Sequence, residues 1–388
     1  AVTYFHKKEV FVMNKETMTS RERVRNAVAH KPVDRVPIDL GAHFSTGISG
    51  FAYYRLRKHL GLATDHIEMI DMVQCLARVD VDIIQRFHID TMLLNPPWKQ
   101  TCRWNVGGAS FHIPAECNIT ESPNGGYEIK QSDCTLYMPK GGYFFDGGWP
   151  DFYQLPEDEK TDYFAQAAEY IYHETDKYTI QMGFSGYFDG LDFACDMLTD
   201  PEMCIERNKQ TLKNEIEKFD RINKAYGRYI QAIEVNSDLG MQSGSMCTPS
   251  SYEQVCYPFL KQFCDHVHAV SDIKIFFHSC GSIRSLLTYI VDAGVDILNP
   301  VQISAEGMDS KLLKDEYGHK ICFWGGGCDT QKILHSGTPT EIARHVAKQI
   351  EIFKPMSGYV FSQVHNIMGN VPPENIVAML DAAYENSF

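Results

Sequence analysis

The chain has no basic run and no arginine-rich helix: 36 Lys+Arg stand against 50 Asp+Glu, a formal net charge of −14. That balance argues against nucleic acid and anionic membrane as partners and leaves the acidic surface the plain role of solubility. No stretch approaches the roughly 18 consecutive apolar residues of a membrane span. Residues 1–15 hold a short apolar patch, but no export h-region or small-residue cleavage site. There is no C-x-x-C pair and no disulfide-framework spacing. The 12 cysteines (75, 102, 117, 134, 195, 204, 247, 256, 264, 280, 322 and 328) are scattered, as expected for reduced thiols in a cytoplasmic, even anaerobic, setting. Internal repeats and low-complexity segments are also missing. No G-x-G-x-x-G follows the first predicted strand, which argues against a doubly wound dinucleotide fold.

What is present is ample core material: 44% hydrophobic and 12% aromatic residues over 388 positions. Short apolar runs at 35–41, 91–95, 180–184, 229–235, 274–278, 296–300, 321–324 and 358–362 read as strands. Helices with clear start signals alternate with them. Thr19-Ser20-Arg21-Glu22 is a capping box, so residues 1–18 are expected to be a tail, disordered over the first dozen or so, and 19–388 a single domain. Further helices are expected over 201–225 after Asp200, over 250–270 from a box at Ser250-Ser251-Tyr252-Glu253, over 282–292, over 339–353 from Thr338-Pro339-Thr340-Glu341, and after Pro372-Pro373-Glu374. Eight strands, each followed by a helix or a long excursion, predict a (β/α)8 barrel (TIM barrel). Residues 98–150 break the rhythm. Their alternating Tyr, Phe and Ile, the Pro123-Asn124-Gly125-Gly126 turn, and the pairs Gly141-Gly142 and Gly147-Gly148 predict β-hairpins inserted after the second strand, over the barrel mouth.

In such a barrel function sits at the C-terminal ends of the strands. Five consecutive strands here end in polar residues: Glu234 and Asp238; His278 and Cys280; Asn299 and Gln302; Gly325-Gly326-Gly327-Cys328-Asp329-Thr330-Gln331; Gln363, His365 and Asn366. On a strand His278 and Cys280 point the same way, about 6.5 Å apart. An imidazole and a thiol presented together suit Zn²⁺ better than a hard cation, although a core histidine beside an inert buried cysteine is the plain alternative. His365 and Cys328 are the further metal candidates, with Asp238 and Glu234 as ligand, base or orienting group. Gln302, Asp329 and Asn366 are the remaining candidates for the chemistry. The triple glycine lacks a G-K-[ST] ending, so it reads as close backbone approach to a ligand, which makes Gly326, Gly327 and Gln331 candidates for cofactor binding. Tyr187, Phe188, Trp149 and Phe152 are candidates for an apolar pocket wall.

The motifs M-T-S-R-E-R-V-R-N-A-V (18–28), R-V-P-I-D (35–39), D-L-G (238–240), F-F-H-S-C-G-S-I (276–283), A-G-V-D-I-L-N-P-V-Q (293–302), F-W-G-G-G-C-D-T-Q (323–331), H-N-I (365–367) and V-P-P-E-N-I (371–376) resemble the uroporphyrinogen decarboxylase superfamily. That resemblance implies a (β/α)8 barrel and a homodimer. The decarboxylases carry R-Q-A-G-R-Y-L-P after the first strand to hold substrate carboxylates, whereas residues 40–47 here contain no arginine. The zinc-dependent methylcobamide:thiol methyltransferase branch is more similar, with H-x-C on its fifth strand matching His278 and Cys280. Where that branch has a further cysteine ligand, this chain has His365. The resemblance implies transfer of a methyl group between a small methylated or methoxylated substrate, or a thiol, and a corrinoid on a partner protein, with O-demethylation favoured. Two other classes stay open: a metal-free decarboxylase or lyase of a small carboxylate, with Asp238 or Asp329 protonating a carbanion, and a non-catalytic corrinoid or tetrapyrrole binder.

Overall fold

Six parallel strands, joined in the order Tyr359–Val360, Cys322–Trp324, Ile297–Asn299, Lys274–His278, Ala232–Asn236 and Ile180–Ser185, form the central sheet of the computed structural model, which describes residues 16–131 and 134–388. The first two predicted strands shrink to single bridges. Phe361 N–H donates to Pro37 O and Asp39 N–H to Phe361 O; Asp90 N–H donates to Ile38 O; Tyr178 N–H donates to Asp90 O and Met92 N–H to Tyr178 O. These bonds carry the ladder from one edge of the sheet to the other and imply a (β/α)8 barrel.

The period of two sorts the side chains. Ala232, Phe276, Ile297, Cys322, Trp324 and Val360 belong to one apolar cluster, and their strand neighbours Ile233, Ile275, Phe277, Leu298 and Phe323 to the larger one that the helices cover. In the first cluster the Phe276 and Trp324 rings meet edge to face at 5.4 Å. In register above them stand Asn236, His278 and Asn299. An apolar plug thus carries a polar layer at the strand ends.

Between residues 92 and 180 lie the expected antiparallel hairpins. Thr101–Val106 pairs with Ala109–Pro114 through Gly107 and Gly108, both at positive φ, the two-residue turn that matches strand twist. Ile119–Glu121, Tyr127–Lys130 and Thr135–Met138 make a three-stranded sheet.

The helices follow their caps. Thr19 and Glu22 close a capping box before Ser20–Val28, Asp200 caps Pro201–Tyr226, and Thr338 with Glu341 opens Pro339–Phe353. Two expectations change. The cap of the 250–270 region is Thr248, and Pro258 divides the region into Pro249–Val255 and Tyr257–Val270, because proline clashes with the carbonyl four residues back. The helix expected over 282–292 is only Leu287–Asp292; Ser282 is held away from it by Met241 O and Glu306 O. No helix of the described residues is long and apolar enough to cross a membrane.

The expected tail falls largely outside the described residues, but Thr17 and Met18 N–H groups donate to Asp34. Asp34 also accepts from Arg23, a guanidinium 1% exposed that reaches Asp90 as well. Burial alone would raise the Asp34 carboxyl, but Arg23 and the two N–H groups outweigh it and hold it well below the ordinary aspartate range. A depressed carboxyl stabilises the fold above its unfolded value, and the contribution is lost as pH falls. Asp34→Asn is therefore expected to cost about 2–3 kcal/mol at pH 7. In thermal melts the gap from wild type should close as pH falls below about 4; a constant gap would contradict this.

Candidate metal centre

Two adjacent strands deliver the cluster. His278 ends Lys274–His278, Cys280 lies two residues on, and Asp238 lies two residues past Ala232–Asn236. Their ligand-capable atoms lie within 4.8 Å of one another: Cys280 Sγ is 3.6 Å from His278 Nε2, and Nε2 is 3.8 Å from Asp238 Oδ1. Hydrogen bonds from backbone N–H groups hold this arrangement. Ser237 N–H donates to His278 O, Cys280 N–H to Asp238 Oδ1 at 2.8 Å, and Leu239 N–H to Ser279 Oγ. Gly281 turns at φ +82° with its N–H on Gln302 Oε1, and its Cα packs against the Gly240 backbone.

The imidazole is set for ligation. Asn299 Nδ2 donates to Trp324 O, so its Oδ1 is the acceptor facing His278 Nδ1 at 2.8 Å. Nδ1 therefore carries the proton, and the Nε2 lone pair is left toward Cys280 and Asp238. Ser45 Oγ also donates to Asn299 Oδ1. Burial lowers the His278 pKa and keeps the ring neutral. Burial, reinforced by Asp238, pushes the Cys280 thiol up, a position that an adjacent divalent cation reverses. Imidazole nitrogen, sulfur and carboxylate converging on one point, with the tautomer fixed, fit a zinc ion.

Beneath the cluster lies a second pair. Ser45 N–H donates to His43 Nδ1, so His43 Nε2–H donates to Glu234 Oε1 at 2.9 Å. Glu234 Oε2 accepts from Gly183 N–H. Burial would raise the Glu234 carboxyl, but His43, His278 and the Gly183 N–H hold it at about 2, an ionised carboxylate inside the barrel. The His43 ring lies 5.2 Å from that of His278 and 5.1 Å from Phe276.

The remaining candidates are distributed as follows. Burial lowers the His365 pKa to about 4. The residue lies outside the three-membered group and has no hydrogen-bond partner among the described residues. Cys328 packs in the apolar core, because the left-handed turns at Gly325 and Gly326 break the strand alternation that would have aimed it inward. Asp329 Oδ1 caps the N–H groups of Gln331 and Lys332, and Gln331 Oε1 accepts from Ser304. Asn366 bridges Gly47 N–H and Gln74. Gly326 and Gly327 approach Val301 and Phe361, where a Cβ would meet those side chains at 3.0 and 2.3 Å, so both serve close packing. Trp149 is exposed, whereas Tyr187, Phe188 and Phe152 are buried.

Sequence reasoning missed His43, Ser45 and the orienting role of Asn299. The available signal was position: His43 and Ser45 follow the first strand, at the same barrel end as the others.

Strand order and hydrogen bonding place a candidate metal centre at the strand ends of a six-stranded parallel sheet whose edges are linked by single bridges. The family model described as uroporphyrinogen decarboxylase (URO-D) matches residues 153–386, and the chain belongs to that family. A curated uroporphyrinogen decarboxylase from Chlorobium luteolum is 28% identical over 147 residues, 37% of this chain and 40% of that relative's length. Among solved structures, a methyltransferase from Methanosarcina mazei superposes with a TM-score of 0.57 over 95% of this chain and 99% of its own, at 16% identity. That likeness is one of fold.

Proposed function

We propose that the chain is a zinc-dependent methyltransferase that moves a methyl group between a small methylated, chiefly methoxylated, substrate and a corrinoid on a partner protein, as the substrate-specific component of a demethylation system. The observation that carries this reading is the convergence of His278 Nε2, Cys280 Sγ and the Asp238 carboxylate. The URO-D family and the overall fold likeness to a methyltransferase support it.

In this reading His278 and Cys280 hold the metal, and Asp238 and His365 are the groups at hand to complete its shell. Bound there, Zn²⁺ would supply a Lewis acid for an ether oxygen or a site for a thiolate. Asn299 and Ser45 orient His278, Glu234 and His43 fix the floor beneath it, and Gln302 anchors the Gly281 turn. The decarboxylase alternative needs a cation for the substrate carboxylate, and Arg284 is committed to Glu316 and Tyr317.

The test is an anaerobic assay of the full chain with zinc, reduced cobalamin and a panel of methoxylated and methylated compounds. The expected result is conversion of cobalt(I) to methyl-cobalt in the presence of at least one of them. Release of CO₂ from small acids, without methyl transfer from any compound, would contradict the proposal.

A further inference from the structure

At the opposite end of the sheet, where the strands begin, lies a cavity of about 660 Å³, of the size that small ligands occupy. Three segments wall it: the end of helix Ser20–Val28, the turn before Ala232–Asn236 and the turn before Lys274–His278. Lys274 and His278 are the two ends of one strand, whose rise sets cavity and metal cluster about 13 Å apart. In a chain of formal net charge −14, the sign here is reversed. Arg25, Lys31, Arg228 and Lys274 line the cavity against a single acid, Asp272. Lys274 is answered by Asp296, which lies outside the lining, at 3.0 Å. Arg25, Lys31 and Arg228 form no ion pair among the described residues, with Asp272 or any other carboxylate. Scattered exposed cations need no partner, but three on one concave wall repel one another and raise the local potential for an anion.

A second observation comes from the inner wall. Tyr178 is 1% exposed, and its hydroxyl has no hydrogen-bond partner among the described residues. Its N–H donates to Asp90 O and its carbonyl accepts from Met92 N–H, while its ring packs 5.8 Å from that of Trp324 in the apolar plug. The hydroxyl, at the far end of the ring, is the part of the residue left for the cavity. A buried hydroxyl without a partner is unfavourable unless a ligand or water supplies one. The unmet groups can all donate: two guanidiniums, an ammonium and a phenol.

We propose that this cavity binds a small polyanion, a ligand bearing phosphate or carboxylate groups, held by Arg25, Lys31, Arg228 and the Tyr178 hydroxyl. Guanidinium forks suit both kinds of group. The site does not depend on the reaction assigned to the other end of the sheet. Its test is calorimetric titration of the full chain with inorganic pyrophosphate and, separately, with citrate, each against sodium chloride of equal ionic strength. Saturable binding with Kd below about 1 mM is expected for at least one probe, and the tighter one identifies the anionic group. Arg25→Gln and Arg228→Gln are each expected to weaken that binding about tenfold. Lys348→Gln, an equal change of charge on an exposed residue outside the cavity, should alter it by less than about twofold. Tyr178→Phe removes an unpartnered hydroxyl, so the melting temperature without ligand should hold or rise while affinity falls about fivefold. A purely structural hydroxyl would show the reverse. No saturable binding of either probe would overturn the proposal, as would equal losses in the arginine variants and Lys348→Gln. Wild-type affinity in Tyr178→Phe would overturn the part given to the hydroxyl.

Discussion

Cys280→Ala is expected to lower the zinc affinity of the chain by about a hundredfold or more, beyond the 10–100-fold that loss of an orienting group alone costs. The sulfur lies 3.6 Å from His278 Nε2 on a backbone held by Asp238 and Gln302, so its removal takes away a ligand without disturbing the frame. The Cys280 side chain is only partly buried, so the truncation leaves a small void, and the melting temperature should move little. Cys328→Ala is the matching control. Cys328 packs in the apolar core, away from the cluster, so its loss should lower stability and leave zinc affinity within about threefold. Competition with a chromophoric chelator measures both. The reverse ranking would move the metal toward the glycine turn.

Gly281→Ala is expected to damage stability and metal binding together. At φ +82° an alanine is strained, and its Cβ would lie 2.3 Å from the backbone C and O of Gly240 and 2.8 Å from Met241 N. A Cβ added at Gly240 would in turn lie 2.6 Å from Cys280 O. The two glycines let the loop bearing Asp238 lie against the loop bearing Cys280, and Ser282 N–H on Met241 O ties them. Left-handed strain of about 1–2 kcal/mol with overpacking of about 1–3 kcal/mol predicts a loss of about 3 kcal/mol and a melting temperature lower by about 5 °C or more. Zinc affinity should fall with it, because separating the loops moves Asp238 from Cys280. Gly244→Ala, where an added Cβ meets nothing within 4 Å, should change neither. A Gly281→Ala variant with wild-type melting and wild-type zinc affinity would show that the two loops do not set the site.

His278 and Cys280 were legible in the sequence because strand parity is local: an apolar run ending in H-x-C places both on one side, whatever the rest of the chain does. The strand positions were legible for the same reason, to within a few residues. The first two strands shrank to bridges because Pro37 has no N–H for the ladder and Pro96-Pro97 follows the second closely. What could not be read was convergence across the chain. Ser45 reaches Asn299 and His43 reaches Glu234 over sequence separations of 254 and 191, and neither pair has a local pattern. Cys328 was promoted by assuming that alternation survives the glycine run, whereas left-handed turns at Gly325 and Gly326 reset it. Asp329, Gln331 and Asn366 stood out as polar strand ends, yet each is occupied by capping or bridging bonds, a use of polar residues that spacing does not distinguish from a site.

The most direct measurement is X-ray absorption at the zinc edge of anaerobically purified full-length chain. A single sulfur at about 2.3 Å with nitrogen and oxygen neighbours at about 2.0–2.2 Å is the shell that one cysteine, one histidine and a carboxylate predict. A shell of oxygen alone, or two sulfurs, would contradict a centre built on His278 and Cys280.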